Sequence, residues 1–170
     1  GVSSAACKYL VNYSKLSDID KVEMGMSPAN KTPRGLATME SILCQVGHPI
    51  KLPAGVGKEK IVYGWQDMTR SNHLQFHPKM ENPQRWLSAI DVPDHELLPK
   101  YLATLSSSSK MPEVQFRAGL ENSVMHLGCW SISWLVRAGL IKDLSKIAKP
   151  VKRISETKPF LEWSGSNTGG

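Results

Sequence analysis

The sequence predicts an α+β fold: a mixed, mostly antiparallel sheet with helices packed mainly on one face, followed by long C-terminal helices. Three observations predict it. Segments such as "DKVEMGM" and "EVQFRA" alternate apolar with polar or small residues, the mark of half-buried strands. Segments with apolar residues at helical spacing stand among them, in the order helix, strand, helix, several strands, helix, strand, helices. The apolar fraction is 41% of 170 residues, enough to build a core for one ordinary domain spanning 1–170.

Taken in order, "VSSAACKYLVNYSK" predicts a helix over 4–15, with Ser3 or Ser4 as its cap. "DKVEMGM" predicts a strand with Val22, Met24 and Met26 on one face. Residues 27–33 are a loop. "RGLATMESILCQV" is a second helix, because Leu36, Met39, Ile42, Leu43 and Val46 form one apolar stripe, and Gly47 is a natural stop. "PIKLPAG" and "KEKIVYGW" flank Gly55 and Gly57, which predicts a hairpin. "TRSNHLQFH" and "RWLSAID" continue as strands, broken at Pro78 and Pro83. "PDHELLPKYL" is a short helix capped by Asp94, "SSSSK" is an exposed loop, and "EVQFRA" is a further strand. The last third is helical, and no internal repeat is present.

Charge narrows the partners. The net charge is +6, from 21 Lys and Arg against 15 Asp and Glu, which favours anionic ligands or surfaces. The basic residues do not form an aromatic-interleaved stripe, so no nucleic acid is expected. Cys7, Cys44 and Cys129 are widely spaced and odd in number, which reads as reduced thiols of a cytoplasmic protein; Cys44 and Cys129 fall on apolar helix faces as small core residues. The chain starts at Gly1 and ends "NTGG", which reads as a fragment of a larger protein. It holds no GxGxxG, P-loop or HExxH, so it binds no dinucleotide by the usual fingerprint and has no recognisable zinc site.

Other constellations have plain readings. "HLQFH" pairs His73 with His77, but in strand-like sequence the two lie about 13 Å apart, too far to share a metal. Asp91, Asp94, His95 and Glu96 look like a catalytic cluster, yet a turn and a helix cap explain them.

Two signals stand out. The first is "SPANKTPRG", where Arg34 and Gly35 open a helix and set a guanidinium beside free backbone N–H groups. That is a good anion site, or else a loop arginine paired with a carboxylate of the fold. The second is the run of 15 residues between Glu121 and Arg137 without a charge, followed by six Lys or Arg between 142 and 158. Spanning a bilayer takes about 20 apolar residues. The run therefore reads as a helix buried between the sheet and a partner, or as a surface-lying segment that meets an anionic membrane through residues 120–158.

The segments "GVSSAACKYLV", "SPANKTPRGLATMESIL", "VYGWQD", "RWLSAIDVPDHELLP" and "VQFRAGLENSVMHLG" together resemble the bacterial saccharopine dehydrogenase-like oxidoreductases, in order and over the whole chain. The resemblance implies the second, substrate-binding and dimerisation domain of that family. An N-terminal Rossmann domain outside this chain would bind NAD or NADP, and the intact protein would form a homodimer. Saccharopine reductases carry an "SPRG"-like element whose arginine holds a substrate carboxylate. The matching residues here are Ser27 and Pro28, a five-residue insertion, then Arg34 and Gly35. The resemblance thus implies that Arg34 binds a carboxylate-bearing substrate, with Ser27 and Gly35 in the same element and Asn30 and Lys31 on a mobile rim. His48, His73 and His77 are the residue types that could supply a general acid or base, and none is assigned.

Overall fold

The computed structural model describes residues 2–14, 19–53, 59–71, 84–105 and 111–165. Its elements are α1 (Val2–Ser14), β1 (Lys21–Met26), α2 (Leu36–Gln45), β2 (Pro49–Pro53), β3 (Glu59–Tyr63), β4 (Thr69–Arg70), β5 (Trp86–Ala89), α3 (Asp94–Leu105), β6 (Glu113–Ala118), α4 (Ser123–Arg137), α5 (Ala148–Ser155) and α6 (Lys158–Ser164). The fold is α+β, as predicted. One sheet has the strand order β1-β6-β5-β4, and β2 pairs with β3 in a second. β5 runs antiparallel to both neighbours, with Ser88 opposite Ala118 and Thr69 opposite Leu87. The predicted hairpin turn over 54–58, the strand residues after Ser71 and the "SSSSK" loop lie outside the described residues.

The chain divides into two compact units, and β1 and β6 contribute residues to each. The first is built from residues of 1–24, 51–61 and 91–116. Cys7 and Val11 of α1, Leu98 and Leu102 of α3 and Val114 of β6 form its core, with Ile19, Val22, Met24 and Tyr101 around them. Pairs spaced i, i+4 face the same way on each helix, so each of α1 and α3 offers one apolar ridge. Burying Leu98 and Leu102 stabilises the unit by roughly 1.5–3 kcal/mol each. Two sequence expectations shift here. Ser4 lies inside α1 and donates from Oγ to Asp94 Oδ1 at 2.8 Å, so it is not a cap. α3 begins on Asp94 itself and continues past Pro99 to Leu105.

The second unit is built from residues of 25–50, 62–90 and 117–170. Val46, Trp65, Val136 and Leu144 are its buried centre, flanked by Ile42, Leu43, Ile90, Leu120, Cys129 and Ile141. Ile42, Leu43 and Val46 of the predicted α2 stripe face this core. Cys44 is exposed and does not: it follows Leu43 by one residue, about 100° round the helix, and its Sγ meets Ser41 O. α2 ends at Gln45 with Val46 as its C-cap, and the next residue, Gly47, has φ of +72° and donates its N–H to Gly64 O at 2.9 Å.

α4 is 15 residues long and is capped by Asn122, whose side chain accepts from the Val124 and Met125 N–H groups. Gly139, with φ of +76°, ends this helical stretch, and Pro150 and Pro159 sit in the first turns of the short α5 and α6. α4 turns two of its polar residues, His126 and Ser133, inward. His126, Ser133 and Val136 are buried, whereas Val124, Leu127, Ile132, Trp134 and Leu135 are exposed. Within the chain, the uncharged run is therefore buried along one side only.

Candidate anion-binding site

The end of β1 delivers the chain into the loop 27–35 of the second unit, where the sequence placed its site. A turn closes on Thr32 N–H to Ala29 O at 3.1 Å, and the loop leads into α2 with Gly35 extended at the N-cap position. The five residues do not share one environment. Ser27 and Asn30 are buried, Lys31 and Arg34 are half-buried, and Gly35 is exposed.

Asn30 is the loop's anchor, not a rim residue. Its backbone N–H donates to Glu121 Oε2 at 2.9 Å, and its Nδ2 donates to Ser164 O at 2.7 Å. Its Oδ1 accepts from Arg34 Nη2 at 3.3 Å, and the same Nη2 reaches Ala29 O at 3.3 Å. Burial lowers the Arg34 pKa from its ordinary value, and the nearby Glu121 carboxylate pulls it back up. Arg34 is thus held beside a carboxylate of the fold, which is one of the two arrangements its position allowed.

The structure adds Arg85, which sequence reading passed over. Its side chain is 6% exposed, with Nη2 at 3.8 Å from Glu121 Oε1. Ser71 holds the backbone of Arg85 on both sides: the Arg85 N–H donates to Ser71 Oγ at 2.8 Å, and the Ser71 N–H donates to Arg85 O at 2.9 Å. Arg85 Nε, Ser27 Oγ and Ser164 Oγ are buried and find no hydrogen-bond partner among the described residues. Gly165, just past α6, lies so close to Glu121 that an added Cβ would meet Glu121 Cδ at 2.6 Å. The Asn30 N–H and the Arg85 guanidinium therefore meet one largely buried carboxylate, with the Arg34 guanidinium close enough to feel its charge. Guanidinium groups stay protonated in proteins, so this cluster can bind and orient an anion but takes no proton from it. The signals that could have marked it were weak: a single acidic residue just before a long uncharged helix, and an arginine entering an apolar strand.

The remaining constellations are structural. Ser88 Oγ and His126 Nε2 lie 2.9 Å apart, both residues fully buried. Leu120 N–H points at His126 Nδ1 at 3.3 Å, so the ring proton sits on Nε2 and Ser88 accepts it. A histidine that donates to the serine is no general base for it. Burial lowers the His126 pKa to about 4. His95 Nε2 accepts from the Phe116 N–H at 3.1 Å, and its Nδ1 lies 3.9 Å from Asp91, so that cluster ties α3 to β6. His48 is half-buried at the entrance to β2, and His73 and His77 lie outside the described residues. Cys129 packs against the second core, where burial raises its thiol to about 11. Among the described residues no group of three His, Cys, Asp or Glu could hold a metal ion, and no helix is long and apolar enough to cross a membrane. No protein-family profile, curated protein or solved structure matches the chain.

Proposed function

We propose that the chain is the substrate-binding and dimerisation domain of a saccharopine dehydrogenase-like, NAD(P)-dependent oxidoreductase that acts on a carboxylate-bearing substrate in the cytoplasm. The observation that carries this reading is the convergence of Arg34, Arg85 and the Asn30 N–H on one carboxylate in the loop region of the "SPRG"-like element. Guanidinium pairs recognise carboxylates by geometry as well as charge. Held there, a substrate would present its C–H to a nicotinamide supplied by the Rossmann domain. Such positioning is a large part of what a protein adds to hydride chemistry. The exposed apolar face of α4, with Leu127, Trp134 and Leu135, offers the second copy or the cofactor domain a surface to cover.

The test uses the protein in which this chain follows its dinucleotide-binding domain. NADH and NADPH are titrated by nicotinamide fluorescence, with and without saccharopine. Cofactor affinity is expected to rise at least tenfold with saccharopine, and Arg34→Ala is expected to abolish that coupling. Cofactor binding that ignores the dicarboxylate, or coupling that survives Arg34→Ala, sinks the clamp.

A second reading has its own observation. Beyond α4, Leu140 and Ile147 are exposed too, and α5 follows, where Lys149, Arg153 and the exposed Ile154 lie on a strongly amphipathic helix. That pattern fits a non-catalytic, membrane-associated or interaction protein that keeps a dehydrogenase frame. On this reading the chain sediments with phosphatidylserine vesicles at low salt. Binding is expected to fall at least tenfold in high salt and in the triple variant Lys149→Glu, Lys152→Glu, Arg153→Glu. Equal sedimentation with neutral vesicles would count against it.

A further inference from the structure

Glu121 stands where a ligand's carboxylate would stand, and the following argument rests on the carboxylate-site reading above. Its Oε2 takes the Asn30 N–H at 2.9 Å. The partnership with Arg85 is poorer. The Nε and Nη2 atoms of a guanidinium form one edge that grips two carboxylate oxygens side-on. Along that edge of Arg85, Nη2 sees Glu121 Oε1 at 3.8 Å, beyond hydrogen-bond reach, and Nε has no acceptor among the described residues. Leaving a buried charged donor unmatched is costly, and the fold tolerates it here at a residue that is 7% exposed. Arg34 adds a second cation to the same carboxylate, so one negative charge is shared between two positive ones. The cluster keeps a net positive charge and an incompletely used recognition edge.

We infer that Arg85 is the second anchor of the ligand site, and that the Glu121 side chain is an internal occupant which a ligand carboxylate displaces. An incoming carboxylate has no backbone tether, so it can meet Nε and Nη2 together, while the Asn30 N–H remains as a third donor. Glu121 sits at the edge of α4, next to the helix cap Asn122, so its side chain can leave without moving the helix. Gly165 borders the carboxylate directly, and a residue with a side chain there would collide with it. The ligand class follows: a small, flexible molecule ending in a carboxylate, which competes with Glu121 at the cost of displacing it. Affinity is thereby held down, and removing Glu121 should release it.

The test is calorimetry and thermal unfolding of the chain with glutarate, using the neutral glutaramide as control. Glu121→Ala is expected to bind glutarate at least tenfold more tightly than the unsubstituted chain. Its unfolding temperature is expected to rise with glutarate and not with glutaramide. Because Glu121→Ala also removes the anchor of Asn30, Glu121→Gln is measured beside it; it keeps an acceptor for the Asn30 N–H and should show the same direction. Adding Arg85→Met to Glu121→Gln is expected to cancel the gain. If Glu121→Ala and Glu121→Gln bind glutarate no better than the unsubstituted chain, or none of them binds it, the inference is overturned. If they do bind better and Arg34→Ala has no effect on that affinity, the inference about Glu121 and Arg85 stands while the Arg34 clamp of the proposed function fails.

Discussion

Replacing Gly47 by alanine is expected to destabilise the second unit by roughly 2–5 kcal/mol, from a left-handed backbone penalty and an overpacking penalty together. Gly47 has φ of +72°, a conformation that an L side chain enters only at a cost. It also lies directly against α4, where an added Cβ would meet the Val136 Cβ at 2.7 Å and press into the Ser133 carbonyl oxygen. A backbone carbonyl in a helix cannot swing aside as a flexible side chain can. Relief would require the end of α2 to lift from α4, and that would strip contacts from Val46 and Val136 in the core. Gly139 supplies the control. Its φ of +76° is nearly the same, yet an added Cβ there meets nothing within 4 Å. Gly139→Ala should therefore carry only the backbone penalty, about 1–2 kcal/mol. Urea unfolding of both variants checks the account. Equal losses would mean that the close approach of Gly47 to α4 is not a constraint.

The second large effect is acid destabilisation through His126. Unfolded, the imidazole takes its proton near its ordinary value of 6.5; folded, burial delays protonation to about 4. Between those values the unfolded chain binds the proton and the native chain does not, so each step down in pH favours unfolding. Stability from this group is complete above pH 6.5 and is lost progressively down to about pH 4, on the order of 3 kcal/mol in all. The cause is specific. A charged ring carries a proton on both nitrogens and needs an acceptor for each, but Nδ1 faces the Leu120 N–H, which accepts nothing. His95 acts in the same direction, since burial lowers its pKa against the opposing pull of Asp91 and Asp94. Stability measured from pH 7 to 4.5 should fall steeply in the unsubstituted chain and less steeply in His126→Gln. An unchanged slope in that variant would remove His126 from the explanation.

Local features were readable from the sequence because their causes are local. The α2 stripe of Leu36, Met39, Ile42, Leu43 and Val46 follows from helical spacing, and Gly47 just past that helix enters a left-handed turn at little backbone cost. The alternation of "EVQFRA" became β6, with Val114, Phe116 and Ala118 buried as the period demands. The mixed order of helices and strands led to the right fold class.

Only the tertiary structure decided the candidate site and the sidedness of α4. Arg34 could be recognised as a helix-mouth arginine, but its carboxylate is Glu121, on a loop that meets Asn30 across 91 positions of sequence. No spacing rule spans such a gap. Arg85 looked like one more strand residue until Ser71 and Glu121 were seen around it. In α4, hydropathy alone would turn Leu127 and Leu135 inward and His126 and Ser133 outward. The fold does the reverse, because Ser88 and the Leu120 N–H provide the hydrogen bonds that a buried histidine needs, and Ser133 bonds the Trp130 carbonyl of its own helix. Period and composition tell which residues share a face. Which face is buried depends on the partners that distant parts of the chain bring to it.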